Sequence, residues 1–145
     1  MSRALFLSLF ALCACAPPAV PGAVGGDPEI ELLYPPRDAV TLPLDAQGRL
    51  SFLVVVSLDN LEFVTPSDDN ADVDGQGHFH LSINDVYIDA PPHQYYPYMS
   101  APDDYTVGQG LSVRVSLQSN THRDLDASAS WEDIAEYTVG EAPNP

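Results

Sequence analysis

Alternation of hydrophobic and polar residues dominates the middle of the chain and predicts β-strands, because successive strand residues face opposite sides of a sheet. A period of two, or a short apolar run bounded by turn residues, marks residues 29–34, 49–58, 60–64, 78–84, 85–89, 104–107, 111–118 and 134–139. Proline, glycine, aspartate and asparagine separate these segments. Convincing helical periodicity is missing, so the pattern predicts an all-β domain.

The number of short strands and the length of 145 residues leave room for one hydrophobic core. They favour a single immunoglobulin-like antiparallel β-sandwich of about seven strands, which we expect over residues 29–140. Residues 15–28 are rich in proline, glycine and alanine and predict a flexible tether that spans roughly 20 Å. Residues 141–145 are expected to fray.

The first fourteen residues have the composition of an export signal. Arg3 precedes an uninterrupted run of small and apolar residues that is too short for a permanent membrane span. Residues 12–15, LCAC, resemble the lipobox of bacterial lipoproteins, which implies cleavage before Cys15 and lipidation of its thiol. Ala16 resembles the outer-membrane sorting pattern. The resemblance implies an exported protein, lipid-anchored to the bacterial cell envelope, in the outer membrane and facing the periplasm or the surface.

The charge balance narrows the range of partners. The chain has 5 basic residues, all of them arginine, and 21 acidic residues, for a net charge of −16. Such a field repels nucleic acid, so we expect no nucleic-acid partner and contact with the membrane only through the N-terminal lipid. An envelope protein or a glycan stays open as a partner, and so does the oligomeric state. Cleavage before Cys15 removes Cys13, which leaves no pair for an internal disulfide.

Two histidines occupy polar positions of the strand HFHLSIN. Its apolar residues at positions 79, 81 and 83 are predicted to face the core, so His78 and His80 face away from it. In the strand LSVRVSLQ, at 111–118, the leucines and valines face inward by the same argument. If that alternation continues past the strand, His122 also faces outward.

An immunoglobulin-like topology makes these two strands antiparallel neighbours, so the start of the first lies opposite the end of the second. His78, His80 and His122 are then expected to meet on the outer face of the sheet. Three imidazoles suit Zn or Cu and leave one coordination position open. Asp124 and Glu136 are candidates for carboxylates behind the ligands. A structural role for the histidines, with hydrogen bonds to neighbouring loops and no metal, is the alternative.

The segment GHFHLSIND, followed by a glycine turn, an alternating strand and NTH, resembles a group of uncharacterised exported bacterial β-sandwich domains. The resemblance covers about residues 50–139 and rests on Gly77, His78, His80, Gly110 and His122. The chain departs from the pattern at residues 84–85 and in a longer loop around residue 95. Because that family has no assigned activity, the resemblance implies a fold and not a function.

An acidic loop at residues 66–77 partly imitates a calcium-binding loop. It contains Asn70, Asp72, Asp74 and Gly75, but Leu81 stands where the bidentate glutamate belongs. The missing ligand favours a solvated turn.

A second loop, at residues 90–99, is rich in aromatic residues. It gathers His93, Tyr95, Tyr96 and Tyr98, which are candidates for contact with a ligand or a partner. The alternative is that they cover one end of the sandwich.

The sequence favours a non-catalytic binding or interaction module of the cell envelope. No cofactor is certain, and Cu or Zn is the candidate for the three histidines. A small three-histidine zinc metalloenzyme is the first alternative, because such an ion lowers the pKa of bound water. A structural or adhesive surface protein without a metal is the second. Neither a Gly-x-Ser-x-Gly elbow nor a phosphate loop is present, so nucleophilic catalysis has no support.

Overall fold

The protein is described by a computed structural model in which residues 26–39, 41–65, 71–88, 94–125 and 131–142 are placed. This part of the chain is all-β, as expected, but it has nine strands rather than about seven. They are β1 (Glu29–Tyr34), β2 (Thr41–Pro43), β3 (Ser51–Asp59), β4 (Glu62–Phe63), β5 (Gln76–Ile83), β6 (Val86–Ile88), β7 (Tyr95–Met99), β8 (Gly110–Gln118) and β9 (Glu132–Gly140). Nothing in the described residues forms a helix of the length and hydropathy needed to cross a membrane.

The strands form two sheets. One has the order β1-β3-β7, and the other has the order β2-β9-β8-β5-β4, with β6 beside β5. Most neighbours are antiparallel, but β2 pairs parallel with β9, and β4 pairs parallel with β5. The expectation of a purely antiparallel sandwich is therefore wrong at these two short pairs. Pro35 and Pro36 follow β1, and the chain joins the second sheet at β2, because proline cannot continue a strand ladder.

The core lies between the inner faces of the two sheets. The predicted inward residues of β5 and β8 are buried, and the aliphatic residues of β8 (Leu111, Val113, Val115 and Leu117) are each 0% exposed. Burial of such a side chain contributes roughly 1.5–3 kcal/mol. The alternation predicted for these two strands is confirmed, and it fixes which side chains lie on their outer face.

The first strand is fastened to the second sheet by polar contacts. The hydroxyl of Tyr137 donates a buried hydrogen bond of 2.6 Å to the carbonyl of Pro35. The amide of Leu32 donates to a carboxylate oxygen of Asp133 at 2.8 Å, and Arg37 forms an ion pair with the same carboxylate. These bonds connect β1 and the turn after it to β9.

The aromatic segment predicted as a loop is in part a strand. Tyr95–Met99 forms β7 at the edge of the three-stranded sheet. Pro97 has no amide hydrogen to donate, and at an edge position no neighbouring strand requires one. Tyr98 faces the core at 8% exposure, and its hydroxyl lies 3.0 Å from that of Tyr105. The strand predicted at 104–107 is instead a turn. The prolines of the segment argue against a strand, so the sequence did not predict β7. The strand is evident from its pairing with β3.

Candidate metal centre

The two central strands of the second sheet bring the histidines together. β5 and β8 are antiparallel neighbours, with His78 opposite Gln118 and His80 opposite Ser116. The predicted pairing is therefore confirmed. Because Phe79 and Leu81 point into the core, His78 and His80 lie on the outer face.

His122 reaches the same place from the turn that follows β8. The amide of His122 donates to the carbonyl of Ser119 at 3.0 Å, and the amide of Ser119 donates to the carbonyl of Arg123 at 2.8 Å. His122 has φ of 60°, so the turn has the form of a three-residue hairpin loop that ends in a left-handed residue. Glycine or asparagine is preferred at such a position. Histidine is also found at such positions, and here the turn carries its imidazole to the two rings on β5.

The three imidazoles are in mutual contact. The Nε2 atoms of His78 and His80 are 3.2 Å apart. The ring centroids are 5.1 Å apart for His78 and His80, 4.9 Å for His78 and His122, and 5.4 Å for His80 and His122. One potential ligand nitrogen from each residue lies within 4.8 Å of the other two. The cluster predicted from strand parity is therefore present, with the geometry of a group that can hold a metal ion.

The depth of His78 differs from the sequence expectation. The side chain of His78 points away from the core, as predicted. The residue is nevertheless only 3% exposed, because the turn after β8 and the other two imidazole rings cover it. His80 is half-buried and His122 is exposed. Desolvation, and after it the charges of His80 and His122, lower the pKa of His78 to about 4. His78 is thus neutral near pH 7, which is the state that binds a metal.

The metal-free cluster leaves His78 incompletely satisfied. Its Nδ1 is buried and has no hydrogen-bond partner in the described part of the chain. If Nε2 carries the proton, it donates a hydrogen bond to His80, and the lone pair of Nδ1 is buried without a hydrogen-bond donor. If Nδ1 carries the proton, that N–H is buried unpaired, and Nε2 offers a lone pair to an ion. An unpaired buried polar atom costs roughly 1–3 kcal/mol, and either tautomer carries this cost at Nδ1.

Asp72 holds the turn that carries His122. Its carboxylate accepts hydrogen bonds from the amide and the hydroxyl of Thr121, both at 2.9 Å, and forms an ion pair with Arg123. The side-chain amide of Asn120 donates to the carbonyl of Ala71 at 3.1 Å. These contacts join the acidic loop to the hairpin turn across 49 residues of sequence. The sequence placed Asp72 in a calcium-like loop, and the structure shows its carboxylate bound to the turn after β8. Asn70, another residue of that loop, lies outside the described residues.

Gly77 permits the close approach that brings the turn over β5. A Cβ atom at this position would lie 2.4 Å from the carbonyl oxygen of Gln118 and 3.3 Å from Leu125. The contact with the backbone oxygen leaves no room for a side chain. The glycine before His78 is therefore required by packing.

The two carboxylates proposed to stand behind the ligands have different outcomes. Asp124 is near, because it accepts a hydrogen bond from the side-chain amide of Gln118, the residue opposite His78. Glu136 is not near. It pairs with Ser112, six positions along β8 from Gln118, which places it roughly 20 Å away. Parity alone could not show that Glu136 belongs to the other end of the strand.

The other sequence candidates do not join the cluster. Tyr95 and Tyr98 belong to β7 in the opposite sheet, with Tyr95 exposed and Tyr98 buried. Tyr96 is half-buried and packs against the core from the same strand. Cys15 and His93 lie outside the described residues.

Tyr87 is a neighbour of the cluster that the sequence did not single out. Its ring centroid is 4.8 Å from that of His80, and its side chain is 52% exposed. It lies on β6 opposite Ser82, two residues from His80 on the same face. Its polar-side position in DVYID was the available signal.

Comparison with known protein families, with curated proteins and with solved structures finds no match for this chain. The likeness to exported β-sandwich domains and to lipoproteins therefore rests on sequence motifs alone.

The geometry is suited to nitrogen-ligand coordination. Two imidazoles bound to one tetrahedral Zn²⁺ at 2.0–2.1 Å have their nitrogens about 3.3 Å apart, close to the separation found for His78 and His80. Every pair of ligands on such an ion is about 3.3 Å apart, so separations of up to 4.8 Å within the cluster must close by up to ~1.5 Å. His122 is exposed and its side chain can make that adjustment.

Proposed function

We propose that this protein is an exported, non-catalytic binding module of the cell envelope that holds one Cu or Zn ion through His78, His80 and His122. The observation that carries the proposal is the 3.2 Å separation of the Nε2 atoms of His78 and His80, with His122 in contact with both rings. Imidazole is a good ligand for both metals, and copper binds a given nitrogen site more tightly.

The balance between binding and catalysis favours binding. Three histidine ligands with an open fourth position also occur in catalytic zinc sites, so a metalloenzyme is the second candidate. A cavity of about 420 Å³ lies beside the cluster and is lined in part by Asp72, Val73 and Ser119. None of the three histidines lines that cavity, so a substrate held there does not touch the metal.

We also propose that Cys15 anchors the protein to the envelope through lipid. The lipobox motif supports this proposal. The chain enters the described domain near the acidic loop, since the side chain of Asn60 donates to the carbonyl of Asp27 at 3.1 Å and residues 26–28 line the cavity together with Asp72. Cys15→Ser is expected to abolish incorporation of labelled fatty acid and to leave the leader uncut.

An immunoglobulin-like topology is the fold assignment that best fits the strand order. The order β1-β3-β7 in one sheet and β2-β9-β8-β5 in the other, with the chain changing sheets between β1 and β2, supports it. On that assignment β4 is an addition to the edge.

Calorimetric titration of the metal-free chain tests the metal proposal. We expect one Zn²⁺ or Cu²⁺ per chain at micromolar or tighter affinity, and loss of that heat in the His78→Ala His80→Ala variant. His93→Ala is the matched control, because it removes the fourth histidine of the chain. Equal heats for the double variant and the unchanged chain would remove the proposal.

A further inference from the structure

The outer face of the three-stranded sheet is apolar although it is not part of the core. β3 reads SFLVVVSLD and is hydrophobic on both of its sides. Val54 and Val56 face the core, whereas Leu53 and Val55 face outward. A strand that is apolar on both sides is typical of a sheet covered on both faces.

A bulge in β1 enlarges this face. Leu32 pairs with Val56 and Tyr34 pairs with Val55, so the register shifts at Leu33. In such a bulge two residues stand opposite one, and Leu33 and Tyr34 are both directed outward. Their exposed fractions are 49% and 46%.

The edge strand β7 completes the surface. Tyr95 pairs with Val55 and Met99 pairs with Ser51, and their side chains are 59% and 58% exposed. We name the resulting surface the outer apolar face, and it comprises Leu33, Tyr34, Leu53, Val55, Tyr95 and Met99. Half of the ten large hydrophobic residues that are exposed in the described part of the chain lie here. Scattered exposure needs no explanation, but a contiguous patch of this size marks an interaction site.

We propose that the outer apolar face is the contact between two copies of this chain in a symmetric dimer. The face exposes roughly 600 Å² of mainly apolar surface, near the 800 Å² per partner of a standard interface. Tyrosine and methionine are enriched in protein interfaces. Two sheets that pack face to face at about 10 Å bury such surfaces well, and a two-fold axis makes one patch its own partner.

The charge distribution favours this contact between two copies. Each copy carries −16, so two copies repel each other wherever acidic surfaces meet. The six residues of the outer apolar face carry no charge. The acidic residues of the same sheet, Glu29, Glu31 and Asp59, lie at the end of β1 and β3 away from Tyr34. An antiparallel arrangement of the two copies places these acidic ends at opposite ends of the dimer.

The edge of the sheet is a poorer contact than its face. Pro97 stands in the middle of β7 and has no amide hydrogen to donate. Proline at an edge strand opposes the addition of a further strand. Pairing through the edge of β7 is therefore less favourable than pairing through the face. The histidine cluster lies on the other sheet, so dimerisation and metal binding are independent.

Sedimentation velocity of the full chain in EDTA tests the proposal. Over about 1–300 µM we expect a shift from monomer to dimer, and high salt should strengthen the association by screening the repulsion of like charges. Leu53→Glu should weaken dimerisation at least ~10-fold. Met99→Glu is the second variant, in case Leu53→Glu does not fold, and near-ultraviolet circular dichroism reports on folding.

Val107→Glu is the matched control. Val107 is 54% exposed but lies in a turn outside the outer apolar face, so its variant should dimerise normally. His122→Asn should also dimerise normally, which separates this proposal from metal binding. A chain that stays monomeric at all concentrations, or that dimerises equally well with glutamate at positions 53 and 99, would overturn the proposal. Binding of a glycan or another protein to the face of a purely monomeric chain would overturn it as well.

Discussion

The carboxylate of Asp72 accepts two hydrogen bonds from Thr121, one from the backbone amide and one from the hydroxyl, each 2.9 Å long. Thr121 directly precedes His122, and Asp72 lies six residues before His78. The contact therefore joins the approaches to two ligands. The three histidines are therefore held together by hydrogen bonds between two loops as well as by the pairing of β5 with β8.

Removal of this contact should weaken metal binding without removing a ligand. We expect Asp72→Ala to lower the affinity for Zn²⁺ by ~10–100-fold, the range typical of residues that orient metal ligands. Asp74→Ala is the control, because it changes an exposed carboxylate of the same loop. Competitive titration with a chromophoric chelator gives both affinities. Unchanged affinity in Asp72→Ala would show that the turn positions His122 without the hydrogen bonds from Thr121 to Asp72.

Substitution of His122 separates binding from stability. The left-handed backbone at His122 is adopted more easily by glycine than by histidine, so His122→Gly should keep or raise the stability of the metal-free chain, by up to about 1 kcal/mol. The same variant should lose tight metal binding. His122→Ala should lose binding too, with lower stability than His122→Gly. Chemical denaturation in EDTA measures stability. Wild-type affinity in His122→Gly would exclude His122 as a ligand.

The metal-free chain should lose stability as the pH falls from about 6.5 to about 4. Burial holds the pKa of His78 at about 4, below its ordinary value near 6.5. The unfolded chain binds the proton first, so the contribution of His78 is fully present above pH 6.5. It declines as the pH falls, by about 3 kcal/mol at most. His78→Gln should flatten this part of the profile. A profile identical in both chains would contradict the burial of a neutral His78.

Gly77→Ala should destabilise the fold by roughly 1–3 kcal/mol, because the added Cβ overlaps the carbonyl of Gln118. Gly110→Ala is a close control. Gly110 also lies in a strand of the same sheet, and a Cβ there meets no atom within 4 Å. Thermal unfolding of both variants in EDTA provides the comparison. Equal melting temperatures would contradict the close packing of the end of β8 against Gly77.

Strand parity allowed much of the site to be predicted from sequence. Alternation in HFHLSIN and LSVRVSLQ determines which residues face the core, and the antiparallel pairing of β5 with β8 then brings His122 to the other two histidines. The prediction needs only the alternation of apolar and polar residues within each strand and the assumption that the two strands are antiparallel neighbours. For that reason the cluster could be expected before any coordinates.

Contacts between loops could not be predicted in the same way. The bond from Thr121 to Asp72 and the burial of His78 depend on where two irregular segments meet, and hydrophobic periodicity carries no information about that. β7 was hidden for a different reason. A proline such as Pro97 argues against a strand because it has no amide hydrogen for the sheet. At a sheet edge, however, no strand lies on the outer side to accept that hydrogen bond.

X-ray absorption of the zinc-loaded chain is the most direct test of the central claim that three imidazoles hold one ion. We predict three imidazole nitrogens at about 2.0–2.1 Å and one further light ligand in the wild-type chain, and two imidazoles in His122→Asn. Asparagine suits the left-handed turn and preserves the fold. A spectrum dominated by oxygen ligands, or one that is the same in both chains, would contradict the claim.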